Sequence, residues 1–467
     1  MIGSTPQMLW VRAMLLNGRG LPLDFYRMLE AYYLNNGLYD ATQQALFENG
    51  IWTAGMKALR NPAKRTVEFH VTHIWPGPLE KALPIVTDNQ RIVPALHKVW
   101  QWSNWGSKKQ LAARWFALFG DWFCKVATSR DAAGKISRVF LQNIKPELVT
   151  DFETDERGNV TYIRIDIPTS SVTGFGKYHT EVWSERGYQL YLHGLNPSTP
   201  VKQLGAPIIS KGLAEYGIDF VPFVHASFLD MGEKRGLGVF ALALDKIDEA
   251  NRMATRLHQI IFRYNRPTLA IMANGTDLSG RPLPPPKLSN ELGSVFQEHD
   301  DDVMSLPGSS KMEYLVPNLN YQAHLEAINA QMRELEEDLP ELSYYRQKEL
   351  GSGISGRAVR LLLSQAVDRT IEARGNIESA MVRADMMALS IGASAGIFRE
   401  IGAYVQGDFA HNFAEREVIP FSALEQAETL SLECGAGVPL VTAARRRGWS
   451  AAEIQQMEED QQAAGFA

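Results

Sequence analysis

Apolar positions recur at three- and four-residue steps in two stretches of the chain, and the remaining elements are arranged around them. Phe240, Leu244, Ile247, Ala254, Leu257, Ile261 and Tyr264 form one stripe along a helix. Asp245, Asp248, Glu249, Arg252, Arg256 and Arg263 fall mostly off that stripe. Arg266-Pro267 ends this helix, because proline has no backbone N–H and its ring clashes with the preceding turn. Leu325, Ile328, Met332, Leu335 and Leu339 form a second stripe, stopped by Pro340. Roughly fifty residues rich in Gly and Pro separate the two, far more than a helix–helix connection needs. An excursion of that length marks a functional loop.

The flanking sequence predicts an α+β unit over residues 21–225. Residues 24–60 read as helical and aromatic, closed by Asn61-Pro62, and Val67 to His73 alternates like a strand. Trp100, Trp102, Trp105, Trp115 and Trp122 cluster about a helix expected from Ser107 to Gly120. With Lys108, Lys109 and Arg114 they would suit base stacking, but a packed core is the better reading. Strands are predicted at 123–127, 137–142, 149–154, 160–167, 180–183 and 188–192. Turn chemistry at 130–134 and 155–159 divides them into a small antiparallel sheet. Beyond the paired helices, a linker over 343–356 precedes a long helix from Arg357 to Gly402. Its close-packing face is marked by Ala358, Leu362, Ala366, Ala373, Ile377, Ala380, Ala384, Met387 and Ile391. Gly375 lies mid-helix, where glycine weakens the backbone and suits a kink. Residues 403–420 read as extended. Two shorter helices follow from Ser422, the second opened by the capping box Ser450…Glu453.

Composition narrows the function. At 467 residues, more than one folding unit is expected. The formal charge of −6 argues against bulk electrostatic gripping of nucleic acid, though not against a surface that lets it pass. Two distant cysteines, Cys124 and Cys434, point to a reducing compartment rather than a disulfide framework. Arg12 interrupts the apolar start and no cleavage site follows, so no signal peptide is expected. No apolar run reaches the roughly 18 residues of a membrane span.

Chemical motifs are few. His70 and His73 form H-x-x-H, but on a strand they would face opposite ways, so no metal site is expected. Gly351-Ser352-Gly353-Ile354-Ser355-Gly356 fits the dinucleotide-binding G-x-G-x-x-G. The stretch before it is no buried strand, no βαβ unit follows, and Glu372 falls inside a helix. Gly351, Gly353 and Gly356, with Gly375, therefore read as hinge glycines. No phosphate loop, no G-x-S-x-G elbow and no H-E-x-x-H are read, so neither catalytic residues nor cofactors are expected. Asp300, Asp301 and Asp302, beside Glu298 and His299, lack calcium-loop spacing and read as a solvated turn. Glu334, Glu336, Glu337, Asp338 and Glu341 read as a solvated acidic face, which matters only where it lines something negative.

The order of several short motifs resembles the portal proteins of tailed bacteriophages. They are Asp219-Phe220-Val221-Pro222-Phe223-Val224 before the first helix, and Asp245-Lys246-Ile247-Asp248-Glu249-Ala250-Asn251 early in it. The exit Arg266-Pro267-Thr268-Leu269 follows, then Ser355-Gly356-Arg357-Ala358-Val359-Arg360-Leu361-Leu362 at the start of the long helix. Ile419-Pro420, Glu425-Gln426-Ala427 and Gly448-Trp449-Ser450-Ala451-Ala452-Glu453 complete the series. The similarity covers most of the chain from about residue 24. It implies a dodecameric ring at one capsid vertex, assembled in the host cytoplasm, through which double-stranded DNA is packaged and ejected.

In that frame residues 1–20 are an N-terminal arm and 21–225 with 357–420 a wing. Residues 226–266 and 319–339 are the two stem helices, 267–318 a clip, 340–356 a tunnel loop and 421–467 a crown. Implied partners are other copies of the chain, the large terminase ATPase, a head-completion or tail adaptor, and the major capsid and scaffolding proteins, with no membrane. Without a nucleotide site the chain would rely on a separate ATPase. Physically, Glu334, Glu336, Glu337 and Asp338 would face the bore and repel phosphate. Tyr344, Tyr345, Arg346 and Lys348 would make the loop's movable DNA contact, unless the two cations pair with Glu341 and Glu349. Competing readings are a nucleotide-binding enzyme using Gly351 to Gly356, and a non-viral ring or scaffold.

Overall fold

A computed structural model describes residues 22–35, 60–169, 177–195, 197, 199–264, 268–273, 310–315, 321–346, 356–401, 409–419, 423–446, 454–457 and 459–460. The chain divides into two compact units. The first comprises Met1–Leu46, Asn61–Ile247 and Leu335–Ala467, the second Phe47–Arg60 and Asp248–Glu334. Both mix helix and strand, so the chain is α+β.

The first unit opens with helices α1 (Pro22–Leu34) and α2 (Pro62–Ile74). Helix α2 replaces the predicted strand at 67–73. Asn61 and Pro62, read from sequence as a closing turn, instead open the helix: the Asn61 side chain accepts from the Lys64 N–H at 2.9 Å and proline sits at the first helical position. Its C-terminal carbonyls at His73 and Ile74 accept from the buried guanidinium of Arg374 at 2.6 and 3.0 Å. On this helix His70 and His73 share one side, and both are buried.

Helices α3 (Ile92–Trp102) and α4 (Trp105–Phe119) carry the tryptophan cluster inward. Trp105 and Trp122 meet Trp75 edge-on, with centroids 6.2 and 6.5 Å apart, and Trp100 donates to Asp385 at 3.0 Å. The cluster is core, not a base-stacking surface. Trp102 and Trp115 are only half-buried.

Strands β1 (Asp121–Arg130), β2 (Ile136–Ile144), β3 (Val149–Thr154), β4 (Val160–Thr169), β5 (Lys177–Ser184), β6 (Gly187–His193), β7 (Ile209–Lys211) and β8 (Phe223–Ser227) follow. They make two antiparallel sheets rather than the one expected, ordered β2–β1–β8 and β3–β4–β5–β6–β7. The long-range pairing of β1 with β8 is what separates them, and no local pattern announces it.

Helix α5 (Leu244–Tyr264) leaves the first unit. Strand β9 (Thr268–Ala273) pairs antiparallel with β10 (Ser310–Leu315), and helix α6 (Tyr321–Asp338) returns. The second unit thus contains most of both striped helices and the strand pair that brackets the long excursion.

The predicted long helix is two. Helix α7 (Gly356–Leu362) stops at Leu363, and α8 (Ser364–Ser394) continues to a turn at Ala395. Ala358 and Leu362, expected on the packing face, lie on α7 and are exposed. Helix α8 lies against β8, β1, β2, α2 and α3, burying the small-residue stripe Ala366, Ala373, Ala380, Ala384 and Ala388. It runs through Gly375 without interruption. Helices α9 (Ala423–Gly435) and α10 (Leu440–Arg446) come after, and a further turn covers 454–457. Ser450, the expected cap, lies outside the described residues.

Candidate functional site

Several of the predicted functional residues lie on the last turns of α6 or just after it. Leu339 still donates to the Leu335 carbonyl at 2.9 Å but leaves helical dihedrals (φ −121°, ψ 73°), and Pro340, with no N–H, starts a 3₁₀ turn that swings Glu341 out of the acidic face. Glu341 is fully buried, a correction to the solvated position expected for it. Its Oε1 lies 2.9 Å from Nε2 of His70 and 3.1 Å from Nη1 of Arg369. Nδ1 of His70 lies 3.2 Å from the Thr370 hydroxyl, so one imidazole bridges α8 and the turn. Arg369 also donates to the carbonyl of Val239 at 2.9 Å and to that of Asp338 at 3.3 Å. The Asp338 carboxylate in turn pairs with Lys246 at 2.7 Å. A buried, paired and hydrogen-bonded charge of this kind clamps elements distant in sequence.

The acidic set is thereby divided. Glu334 and Glu337 are exposed, Glu336 is half-buried, and Asp338 is tied to Lys246. The aromatic pair after the turn is anchored rather than loose. Tyr344 packs against Phe69 and His73 with centroids 5.5 and 5.4 Å away, and Tyr345 donates to the carbonyl of Arg65 at 2.9 Å. Burial raises the Tyr345 phenol above its ordinary range. Arg346 closes this short helix. Its side chain, with Lys348, Gly351 and Gly353, lies outside the described residues, as do Asp300, Asp301 and Asp302. Gly356 is the first residue of α7.

Beside the clamp lies a pocket of about 260 Å³, floored by Phe228, Val239, Ala243 and Leu339 and edged by Asp338, Arg369 and Glu372. Its wall is shaped by glycine. Gly120 caps α4 at φ 83°, and a Cβ there would meet the Leu237 carbonyl carbon at 2.4 Å; one on Gly238 would meet the Leu118 carbonyl oxygen at 2.4 Å. Only bare backbone lets the 236–239 segment cross α4 so closely.

A second buried centre is Asp121, which accepts from the backbone of Gly236 at 3.0 Å, from His225 at 2.7 Å and from Tyr26. Arg235 donates to the Tyr26 hydroxyl at 2.7 Å. Gly392-Ala393-Ser394-Ala395-Gly396 fits the hydrolase pattern G-x-S-x-G, although no such elbow is expected from the sequence. It forms the C-terminus of α8, with Gly396 at φ 68°, not the strand-to-helix elbow that exposes a nucleophile. Among the described residues no group of three or more His, Cys, Asp or Glu is placed to hold a metal ion, and no helix is long and apolar enough to cross a membrane.

No protein-family model and no curated protein matches the chain. Among solved structures it is similar to a chain in the neck of a native GTA particle computed with C12 symmetry. There the identity is 13% and the TM-score 0.45, over 82% of this chain and 88% of that one. A chain in the neck of an empty GTA particle computed with C6 symmetry is similar at 13% identity and TM-score 0.43, over 83% and 90%. A chain in the virion of a native gene transfer agent particle gives 12% and 0.39, over 80% and 85%. These structural neighbours are parts of a gene transfer agent particle, two of them from its neck.

Proposed function

We propose that this chain is a portal-type subunit, a head-to-tail connector that assembles with its own copies into a ring around a channel for double-stranded DNA. The observation that carries the reading is the second unit: two striped helices, α5 and α6, bracketing an antiparallel strand pair, in the order of the motifs that resemble the family. Ile261 and Leu325 on these helices remain exposed in the single chain, as positions awaiting neighbours would.

In this reading α5 and α6 are the stem, 267–318 the clip, 340–356 the tunnel loop, 21–225 with 357–420 the wing and 421–467 the crown. Glu334, Glu336 and Glu337 keep phosphates sliding, while Asp338 and Glu341 hold the stem's root. The clip would meet the terminase ATPase and later a tail adaptor; capsid and scaffolding proteins would surround the ring at one vertex of the virion. Electron microscopy of the purified protein is the test. A closed ring with an axial channel is expected, and a monodisperse monomer at high concentration and physiological salt overturns the reading.

A further inference from the structure

We propose that His193 is an acid-sensitive latch: as a neutral imidazole it holds the backbone N–H of Leu195, where the β6–β7 connection begins, and taking up a proton lets that N–H go. The latch does not depend on the ring reading above.

The latch hangs from Asp166, which is buried in β4. Arg164 donates to both of its carboxylate oxygens, at 2.9 and 3.1 Å, a fork that an ionised acid accepts. Thr150 donates to it at 2.5 Å, and so does the Thr180 hydroxyl from β5. A hydroxyl has one proton to give, so the Thr180 oxygen accepts from Nε2 of His193, 2.7 Å away. Nε2 therefore carries a hydrogen. Nδ1 receives the Leu195 N–H at 3.2 Å, so Nδ1 must be bare. The bonds fix one neutral tautomer and exclude the imidazolium, which is a donor at both nitrogens.

The same network grips the connection a second time, where Arg164 donates to the Thr199 carbonyl at 2.6 Å. Between these grips and β7, Val201 and Leu204 pack with Tyr162, Val182 and Tyr191 on the face that carries Asp166. A proton on Nδ1 would set two donors against each other at Leu195, while the arginine keeps its hold on Thr199 at any pH. Acid thus undoes one fastening of two. Among the described residues, the charged and titratable groups facing the ring come from two strands. They are Asp166, 3.9 Å from Nε2, and Arg164 on β4, and Tyr178 on β5, stacked with its centroid 6.0 Å away. Burial, with the charge of Arg164, outweighs the pull of Asp166 and holds His193 below the ordinary histidine value. The neutral form is therefore the resting one, and the hold on Leu195 is lost as pH falls.

Solid-state NMR of the sedimented full chain, with isotope-labelled histidine, reads the ring directly; His193 is identified by its loss in His193→Asn. At pH 7.5 a bare Nδ1 and a protonated Nε2 are expected, with imidazolium signals growing in only below about pH 6.5. Imidazolium at pH 7.5, or the opposite tautomer, overturns the latch. Hydrogen–deuterium exchange, corrected for the intrinsic rate, gives the second reading. From pH 7.5 to pH 5, protection of the Leu195 amide should fall about tenfold or more. Protection of Ile208, which donates to the Leu190 carbonyl at 2.7 Å, should hold within about twofold. In His193→Asn the amide oxygen takes the place of Nδ1 without titrating, so acid should cost Leu195 no protection. A Leu195 amide indifferent to acid in the parent, an equal fall at Ile208, or the same fall in the variant each overturns the latch. None of these outcomes bears on whether the chain forms rings.

Discussion

His70 and Glu341 lie 271 positions apart and meet at 2.9 Å, both with fully buried side chains. The contact joins α2 to the turn that ends α6, and Arg369 completes it from α8 at 3.1 Å. A carboxylate there is tolerated only because two donors face it. The same turn leads the chain out of α6 into residues 343–346, so the pair fixes where that segment begins.

Glu341→Ala should therefore cost far more than its acidic neighbours do. Removing one partner of a buried pair strands the other, at roughly 3–5 kcal/mol. Glu341→Gln, which still accepts from His70, should cost less. Glu337→Ala, on the exposed face, should leave the urea midpoint where it was. Equal midpoints for the Glu341 and Glu337 variants would show that the clamp carries no stability.

Much of this arrangement was legible in the sequence, and its limits have physical causes. The stripes ending at Tyr264 and Leu339 announced helices α5 and α6, since 3.6-residue periodicity is a local signal. Val67 to His73 misled because apolar Val67, Phe69 and Val71 alternate there with polar residues, while the deciding information was the cap at Asn61-Pro62. Glu341 looked like one more surface acid, three residues beyond Asp338. Only the Pro340 turn and a histidine far upstream reveal it as core, and neither signal is local. The Trp100–Asp385 bond and the division into two sheets are likewise long-range.

Gly375 separates two uses of glycine. It lies exposed inside an unbroken helix, and a Cβ there would meet nothing within 4 Å. Gly375→Ala should raise stability by about 0.5–1 kcal/mol, because alanine loses less backbone entropy on folding. If Gly375 is also a hinge, the stiffer variant should still form rings but package DNA poorly. Unchanged packaging would leave the interruption at Leu363 as the bend between α7 and α8.

Asp385 and His411 give a pH signature. Burial raises the Asp385 carboxyl, although His411 and Trp100 pull it the other way. Burial alone would lower His411, but the charge of Asp385, 3.7 Å away, and the contact of Nδ1 with the Phe409 carbonyl at 2.9 Å raise it. A raised group stabilises the fold fully below its unfolded pKa, about 6.5 for histidine, and that contribution is lost as pH rises through the folded value. Asp385→Asn removes what raises His411. Its deficit against the parent should thus be largest near pH 6 and smaller at pH 8.5. His73 and His193, both lowered by burial, act oppositely but equally in the two proteins. Urea midpoints at both pH values decide it; a constant difference refutes the coupling.

The final expectation concerns Arg346 and Lys348. Tyr344 and Tyr345 are docked on α2, so in the proposed ring they would anchor the loop that carries these cations. In the proposed ring, with Glu334, Glu336 and Glu337 facing the bore, the cations would be the first positive charges to meet passing phosphate. Each contact is weak, about 1 kcal/mol or less, but every subunit of a ring repeats it. Replacing both with Ser should leave the ring and its melting temperature intact while DNA retention in filled capsids falls, most at low salt, where phosphate contacts count most. Glu341, already committed to His70 and Arg369, is not available to hold either cation in a purely structural role. Tyr345→Phe, which loses the bond to the Arg65 carbonyl, should lower retention without changing charge, because the anchor slackens. The exchange Arg346→Lys with Lys348→Arg keeps both charges and should preserve retention. If it fails as badly as the serine pair, the loop acts through its shape and the electrostatic reading is wrong.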